Sequence, residues 1–233
     1  MQALLLAAGL GTRLKPLTLS QPKCLIEING IPMLKFWLDK LLNLDLDKIY
    51  INVYHFSEMV IKYIAHNYPK ENRIEILEEK NLKGTANTIK DLLSISKDSP
   101  TLILHSDNYS AIDLTKFINY FAIDPKSPLM LTFNSNNPEF CGVLQIDANG
   151  FVTAYEEKPL KPKGNLCNGA IYILPINFSS LLKHKNNYSA IDFSKDILPK
   201  YFKMFRTYHI DGFHIDIGTP LGKKLAEQVP LIS

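Results

Sequence analysis

An apolar run, Gln2-Ala-Leu-Leu-Leu-Ala-Ala8, stops abruptly at Gly9-Leu10-Gly11-Thr12-Arg13. Glycine accepts unusual dihedrals and carries no side chain, so a strand that ends in Gly-x-Gly can bring backbone N–H groups close to phosphate oxygens. Arg13 and the lysine of Pro22-Lys23 add two cations, and a guanidinium fork suits phosphate oxygens. Together they fit a triphosphate; the two glycines alone would equally make a tight strand-to-loop turn. The segment is not a Walker A loop, because no Gly-Lys-Ser/Thr closes it, and it lacks the third glycine of the dinucleotide fingerprint. A second apolar run, Thr101 to His105, ends at Ser106-Asp107. A carboxylate at the carboxyl edge of an open α/β sheet lies where such sheets bind ligands, and it can hold Mg²⁺; an Asp there can also cap a helix. In Glu156-Glu157-Lys158-Pro159 the proline is expected to keep Lys158 extended and so to aim its ammonium, although the four residues also read as a polar strand exit.

The elements that must position these groups follow from the apolar pattern. Gln2 to Ala8 reads as a central strand buried on both faces. Pro32 opens a helix over Met33–Leu44, with Leu34, Trp37, Leu38, Leu41 and Leu42 on one face. A strand at Lys48–Val53, a helix at Ser57–Tyr68 capped by Ser57, a strand at Arg73–Leu77, a helix at Thr85–Ile95 and the strand at Thr101–His105 complete an alternation typical of a parallel, doubly wound sheet. After Asp113 the rhythm changes. Strand-like runs at Ser127–Phe133, Cys141–Ile146 and Phe151–Tyr155 lie close together, the last two joined by Asp147-Ala-Asn149-Gly150, a hairpin signal. A strand at Asn168–Leu174, a helical segment at Phe193–Tyr201 and short strands at Arg206–His209 and Phe213–Ile217 follow. The expected fold is therefore α/β and Rossmann-like: a mixed, mainly parallel central sheet flanked by helices, with antiparallel additions in the second half. Residues 1–233 are expected to form one domain, divided near residue 110 into halves 1–110 and 111–233.

Composition sets the bounds. The 233 residues are 46% apolar and 21% charged, with 14 Pro and 11 Gly, which excludes disorder, collagen and coiled coil. No apolar run approaches the roughly 18 residues of a membrane span, and Gly9, Gly11 and Arg13 interrupt the apolar start of the chain too soon for a secretory signal, so a cytoplasmic protein is expected. The net charge of +3 comes from scattered lysines, with no basic face that would read nucleic acid. Cys24, Cys141 and Cys167 form no C-x-x-C pair, so neither a disulfide framework nor a thiolate zinc site is expected. His55, His105, His209 and His214 show no zinc spacing, and Asp45-Leu-Asp47 reads as a solvated turn.

Leu6-Ala-Ala-Gly-Leu-Gly-Thr-Arg13 followed by Pro22-Lys23 resembles the signature of the sugar-1-phosphate nucleotidylyltransferases, or nucleotide-sugar pyrophosphorylases. The resemblance extends, in order, through Leu82-Lys-Gly84-Thr85-Ala86, His105-Ser-Asp107-Asn108, Glu156-Glu-Lys158-Pro159, Asn168-Gly169-Ala-Ile-Tyr172 and Asp216-Ile-Gly218-Thr219, nearly the whole chain. It implies an enzyme that joins a nucleoside triphosphate to a sugar 1-phosphate and releases pyrophosphate. It further implies that Leu6, Ala8, Gly9, Gly11, Thr12, Arg13, Lys23, Glu79, Gly84, Thr85 and Asp107 bind the nucleotide. Arg13, Lys23 and Lys158 would be the catalytic cations, and Asn108, Gly142, Glu157, Lys158, Asn168 and Gly169 would serve the sugar. Gly142 follows Cys141 where many relatives have an aromatic residue, which weakens that sugar contact.

The same resemblance supplies Asp216 as the partner of Asp107 in holding Mg²⁺; taken alone, Asp216 is a turn residue before Gly218. Glu79 falls where the family places a side chain against the base edge. A carboxylate only accepts hydrogen bonds, which suits the N1–H and N2–H₂ of guanine, so GTP is the expected nucleotide; Glu78 and Glu79 could equally be exposed charges. The expected sugar is mannose or heptose 1-phosphate, in surface-polysaccharide synthesis, on the likeness of Pro22-Lys-Cys24-Leu25 and the Asn168 strand to small guanylyltransferases. MurNAc 1-phosphate, glucose 1-phosphate or phosphocholine, with UTP, dTTP or CTP, would leave almost the same sequence. A catalytically silent nucleotide-sugar sensor is the alternative of another class, and a glycosyltransferase a third. No second activity from a C-terminal β-helix is expected.

Overall fold

The computed structural model describes residues 1–95 and 99–229, so the last residues of the expected domain, 230–233, lie outside it. In chain order the elements are β1 (Gln2–Leu6), β2 (Glu27–Ile28), β3 (Ile31–Pro32), α1 (Met33–Leu42), β4 (Lys48–Val53), α2 (Ser57–Asn67), β5 (Ile74–Glu78), α3 (Thr85–Ile95) and β6 (Thr101–His105). They continue with β7 (Asn108–Ser110), α4 (Leu114–Ile123), β8 (Leu129–Asn134), β9 (Gly142–Ile146), β10 (Val152–Glu157), β11 (Leu166–Leu174), α5 (Phe178–Leu182), α6 (Leu198–Tyr201), β12 (Arg206–His209), β13 (His214–Asp216) and α7 (Pro220–Glu227). Two compact units emerge, and each takes segments from both sides of residue 110: Met1–Leu82 with Leu104–Ala111 and Phe213–Ser233, and Lys83–Ile103 with Ile112–Gly212.

In the first unit β1, β4 and β5 are parallel and in register, with Leu4 opposite Tyr50 and Ile51 opposite Ile76. Leu4, Leu5, Ile49, Ile51 and Val53 are fully buried, as strands without a solvent face must be. α1 buries Met33, Leu34, Trp37, Leu38 and Leu41, the face expected from its spacing except that Met33 is buried and Leu42 only half-buried. β7 and β13 pair antiparallel, with Asn108 opposite Asp216, and the Ile217 N–H donates to the Asp107 carbonyl at 2.9 Å.

The second unit is largely antiparallel. β11 runs against β6, β8 and β9, and a bulge between Asn168 and Tyr172 lets one nine-residue strand serve several neighbours. β9 and β10 form the expected hairpin, and β12 runs parallel to β8. Phe117, Phe178, Phe193 and Phe205 fill its core. The fold class is thus the expected one: α/β, with a mixed central sheet, its strands parallel in the first unit and largely antiparallel in the second.

Several local expectations are corrected. Ser57 does not cap α2: the cap is Phe56 in the left-handed region, and the Ser57 hydroxyl donates to Glu78 at 2.7 Å. The last two short strands take different partners, β12 in β8 and β13 in β7. Three helices, α4, α5 and α7, went unread. α4 starts where the Asp113 carboxylate accepts from the Lys116 N–H at 3.0 Å, and α7 where the Thr219 hydroxyl accepts from the Gly222 N–H at 3.0 Å behind Pro220. No described helix is long and apolar enough to cross a membrane.

Candidate functional site

β1 delivers its chain into the glycine loop with Leu6 and Ala8 buried and Gly9 exposed. A Cβ on Gly9 would meet nothing within 4 Å. Gly11 has φ +64°, and a Cβ there would come within 2.6 Å of Thr18 Cγ2, so only glycine fits. Its carbonyl accepts from the Thr18 hydroxyl at 2.8 Å and from the Leu14 N–H at 2.9 Å, which closes the short turn Thr12–Leu14 that carries Arg13. Thr18 is a residue the sequence did not single out; its buried hydroxyl fixes the loop.

Lys23 sits on the turn Lys23–Leu25, anchored by the fully buried Cys24, whose thiol burial pushes up to about 12. The buried Lys23 ammonium touches the Asp107 carboxylate and lies 3.7 Å from Asp216 Oδ1. Asp216 Oδ2 accepts from Arg13 Nη2 at 3.2 Å, and its Oδ1 accepts from the Gly218 N–H at 2.7 Å. The turn bond expected of Asp216 alone is therefore present beside the ion pair. Burial works to raise the Asp107 carboxyl, but the Lys23 ammonium, with His105 and hydrogen bonds, outweighs it and holds the group well below the usual carboxylate range. Asp107 caps no helix; β7 follows it. Residues 13, 23, 107 and 216 are thus brought together at one place in the first unit, with Asn108 buried beside them.

The two carboxylates that converge on the Lys23 ammonium, one of them also paired with Arg13, are a hard-oxygen donor pair. Among the described residues no three His, Cys, Asp or Glu gather into a metal cluster. A divalent cation that takes one or two carboxylates and completes its shell with phosphate oxygens and water fits this pair; that is the habit of Mg²⁺.

Glu79 and Glu78 separate in character. Glu78 is exposed, whereas Glu79 is buried and accepts from Asn52 Nδ2 at 2.9 Å. Gly84 and Thr85 lie in the second unit. Gly84 has φ +80° and packs against the backbone of Ile191, and the Thr85 hydroxyl accepts from the Phe193 N–H at 2.8 Å.

The second unit gathers the remaining residues named above. Glu157 pairs in register with Gly142 and accepts from the Tyr155 hydroxyl. A Cβ on Gly142 would lie 2.9 Å from Glu157 Oε2 and 2.8 Å from Tyr155 Cε2, so glycine here makes room for that pair whatever precedes it. Asn168 donates to the Tyr172 hydroxyl at 2.7 Å and accepts from the Ala170 N–H at 2.9 Å, and Gly169 packs on Leu131. Burial, and then the neighbouring Tyr172 and Glu157, raise the Tyr155 phenol, so it stays a donor. One expectation fails: Lys158 is not extended before Pro159 but has φ +50°, with its N–H donating to the Cys141 carbonyl at 2.9 Å. That bond and the turn out of β10 override the proline's preference. Ala170, at φ +51°, is a second strained residue in the same unit.

The sequence profile of the nucleotidyl transferase family matches residues 2–221. The chain belongs to that family. It is 29% identical to the UTP--glucose-1-phosphate uridylyltransferase AglF of Haloferax volcanii, over 98% of this chain and 96% of that one. It is 28% identical to the D-glycero-alpha-D-manno-heptose 1-phosphate guanylyltransferase of Campylobacter jejuni, over 94% and 96%. The crystal structure of HddC from Yersinia pseudotuberculosis superposes with a TM-score of 0.80 at 25% identity, over 97% of this chain and 98% of that one. Other relatives are longer: the chain spans 60% of one from Sulfolobus acidocaldarius and 52% of one from Methanocaldococcus jannaschii.

Proposed function

We propose that this nucleotidyl transferase moves a nucleotidyl group from an NTP, by preference GTP, to a sugar 1-phosphate, and releases pyrophosphate. The carrying observation is the convergence of Arg13, Lys23, Asp107 and Asp216 beside the glycine loop, a set of charges suited to a polyphosphate and its counter-ion. In this reading the backbone at Gly9 and Gly11 approaches the phosphates, while Arg13 and Lys23 balance their charge. Leu6, Ala8, Thr12, Gly84 and Thr85 line the nucleoside, and Glu79 accepts from the base edge. Asp107 and Asp216 would hold Mg²⁺, which supplies further charge neutralisation at the α-phosphate when bound.

Lys158 orients the sugar phosphate, and Glu157, Asn168, Asn108 and the backbone at Gly142 and Gly169 take the sugar. A phosphate oxygen already attacks well, so the side chains have only to position the reactants and balance charge; no covalent nucleophile is needed. Residues 1–233 work as one nucleotidyltransferase domain, in the cytoplasm. Mannose or heptose 1-phosphate is the favoured acceptor, for surface-polysaccharide precursors, with the Campylobacter relative in support. The Haloferax relative favours a second reading, UTP with glucose 1-phosphate.

The test is pyrophosphate release with Mg²⁺ over a grid of five NTPs against sugar 1-phosphates, with Asp107→Ala as control. A strong GTP cell with mannose or heptose 1-phosphate is expected. A strong UTP cell with glucose 1-phosphate would select the second reading. A blank grid with tight nucleotide-sugar binding would replace the enzyme with a sensor, and Mg²⁺-dependent turnover surviving in Asp107→Ala would overturn the metal assignment.

A further inference from the structure

Asn52 is a polar residue set between the apolar Ile51 and Val53 of β4, and it is 3% exposed. It is the next-to-last residue of β4, between two parallel neighbours, opposite Leu6 on β1 and Leu77 on β5. Its side chain reaches both chains just beyond those strands. The Ala7 N–H donates to Asn52 Oδ1 at 2.8 Å, and Asn52 Nδ2 donates to Glu79 Oε1 at 2.9 Å. A backbone N–H can only donate, so the first bond fixes which end of the amide is oxygen, and the NH₂ must then face Glu79. The Glu79 N–H donates to the Val53 carbonyl at 2.9 Å, which pins the main chain on the same side.

We propose that Asn52 is a positioning residue for base selection: it holds Glu79 as an acceptor and sets the direction in which the carboxylate meets the base. The proposal rests on the assignment of Glu79 to the base. A carboxylate is planar, so a bond to one oxygen sets the direction of the other. The guanine edge, with adjacent N1–H and N2–H₂ donors, matches that arrangement. The adenine edge places an acceptor, N1, beside its amino group and does not.

The bond direction can be reversed. In Glu79→Gln, Asn52 still donates, so the new amide must turn its oxygen to Asn52 and its NH₂ to the base. Adding Asn52→Asp makes residue 52 accept from both Ala7 and the amide at 79, which turns that amide's oxygen back to the base. The measurement is the ratio of the ATP to the GTP dissociation constant by calorimetry, which is high when guanine is preferred, with circular dichroism as the check on folding. Glu79→Gln is expected to lower guanine preference by roughly a hundredfold, because a site left with a mispaired polar group rejects its ligand strongly. The double variant is expected to recover most of it, a rescue that a purely structural role would not produce.

If Glu79→Gln leaves the ratio unchanged, the Glu79 assignment itself fails. If it shifts the ratio and the folded double variant does not restore it, Asn52 has no part in selection. Should the double variant not fold, Asn52→Ala serves: a roughly tenfold lower ratio supports the proposal, and equal weakening of both nucleotides overturns it.

Discussion

A Cβ placed on Gly218 would lie 2.6 Å from Asp216 Oδ1 and 2.9 Å from Arg13 Nη2 and would press on the Lys23 ammonium. Gly9 is the opposite case, with open space where its Cβ would go. The two glycines therefore separate what the fold needs from what a ligand needs. Gly218→Ala should displace Asp216 and Arg13 and lower turnover by about a hundredfold, the usual effect of a shift near 1 Å in charged groups, with the protein still folded. Gly9→Ala should leave the melting temperature unchanged and weaken NTP binding, since only an approaching phosphate would meet the new methyl. Unchanged NTP affinity in Gly9→Ala, by calorimetry, would remove the glycine loop from the site. At this scale the sequence showed which residue types carry charge but not their pairing: Lys23 and Asp107 lie 84 positions apart and Arg13 and Asp216 203 apart, separations that no local pattern reports. Lys158 shows the reverse failure, a sound local rule about proline overridden by one backbone bond to Cys141.

Arg73 joins two elements by its fork. Its Nη1 donates to the Leu44 carbonyl and its Nη2 to the Leu42 carbonyl, both at 3.1 Å, at the end of α1 just ahead of β5, while Glu71 holds the guanidinium at 2.9 to 3.0 Å. The last carbonyls of a helix lack partners within it, and a cation there also complements the helix dipole. Arg73→Ala should lower unfolding free energy by about 1–3 kcal/mol by chemical denaturation, and Arg73→Lys should recover only part, because an ammonium cannot serve both carbonyls in one plane. The pH dependence has a definite sign. Hydrogen bonds from the Arg73 side chain and backbone hold the Glu71 carboxyl below its ordinary value. Its contribution is therefore present above the unfolded pKa of about 4.3 and lost as pH falls through the lower folded value. The gap between wild type and Arg73→Ala should narrow on acidification below about pH 4; a gap that stays constant would contradict this account. Elements with regular apolar spacing, such as β1, α1 and β4, were legible because burial writes the pattern. α4 and α7 were not, although Asp113 and the pair Thr219-Pro220 carry ordinary start signals.

For the whole molecule, alternation of strand and helix made the parallel strands of the first unit readable, since each element follows its neighbour in sequence. The return of Phe213–Ser233 to that unit was not, because β13 finds β7 across about a hundred residues. The two units suggest a division of labour that a binding experiment can check. Lys23 belongs to the first and Lys158 to the second. If the first unit holds the triphosphate, NTP at a hundred times its dissociation constant should stabilise the wild type by about 2.7 kcal/mol and raise its melting temperature. Lys23→Ala should lose most of that shift. Lys158 has φ +50°, so asparagine, which tolerates the left-handed region, is the substitution that removes the ammonium with least strain. Lys158→Asn should keep the full NTP shift and lose sugar phosphate turnover. A Lys158→Asn protein that loses the NTP shift as well would mean that the second unit also carries the triphosphate, and the division would fall.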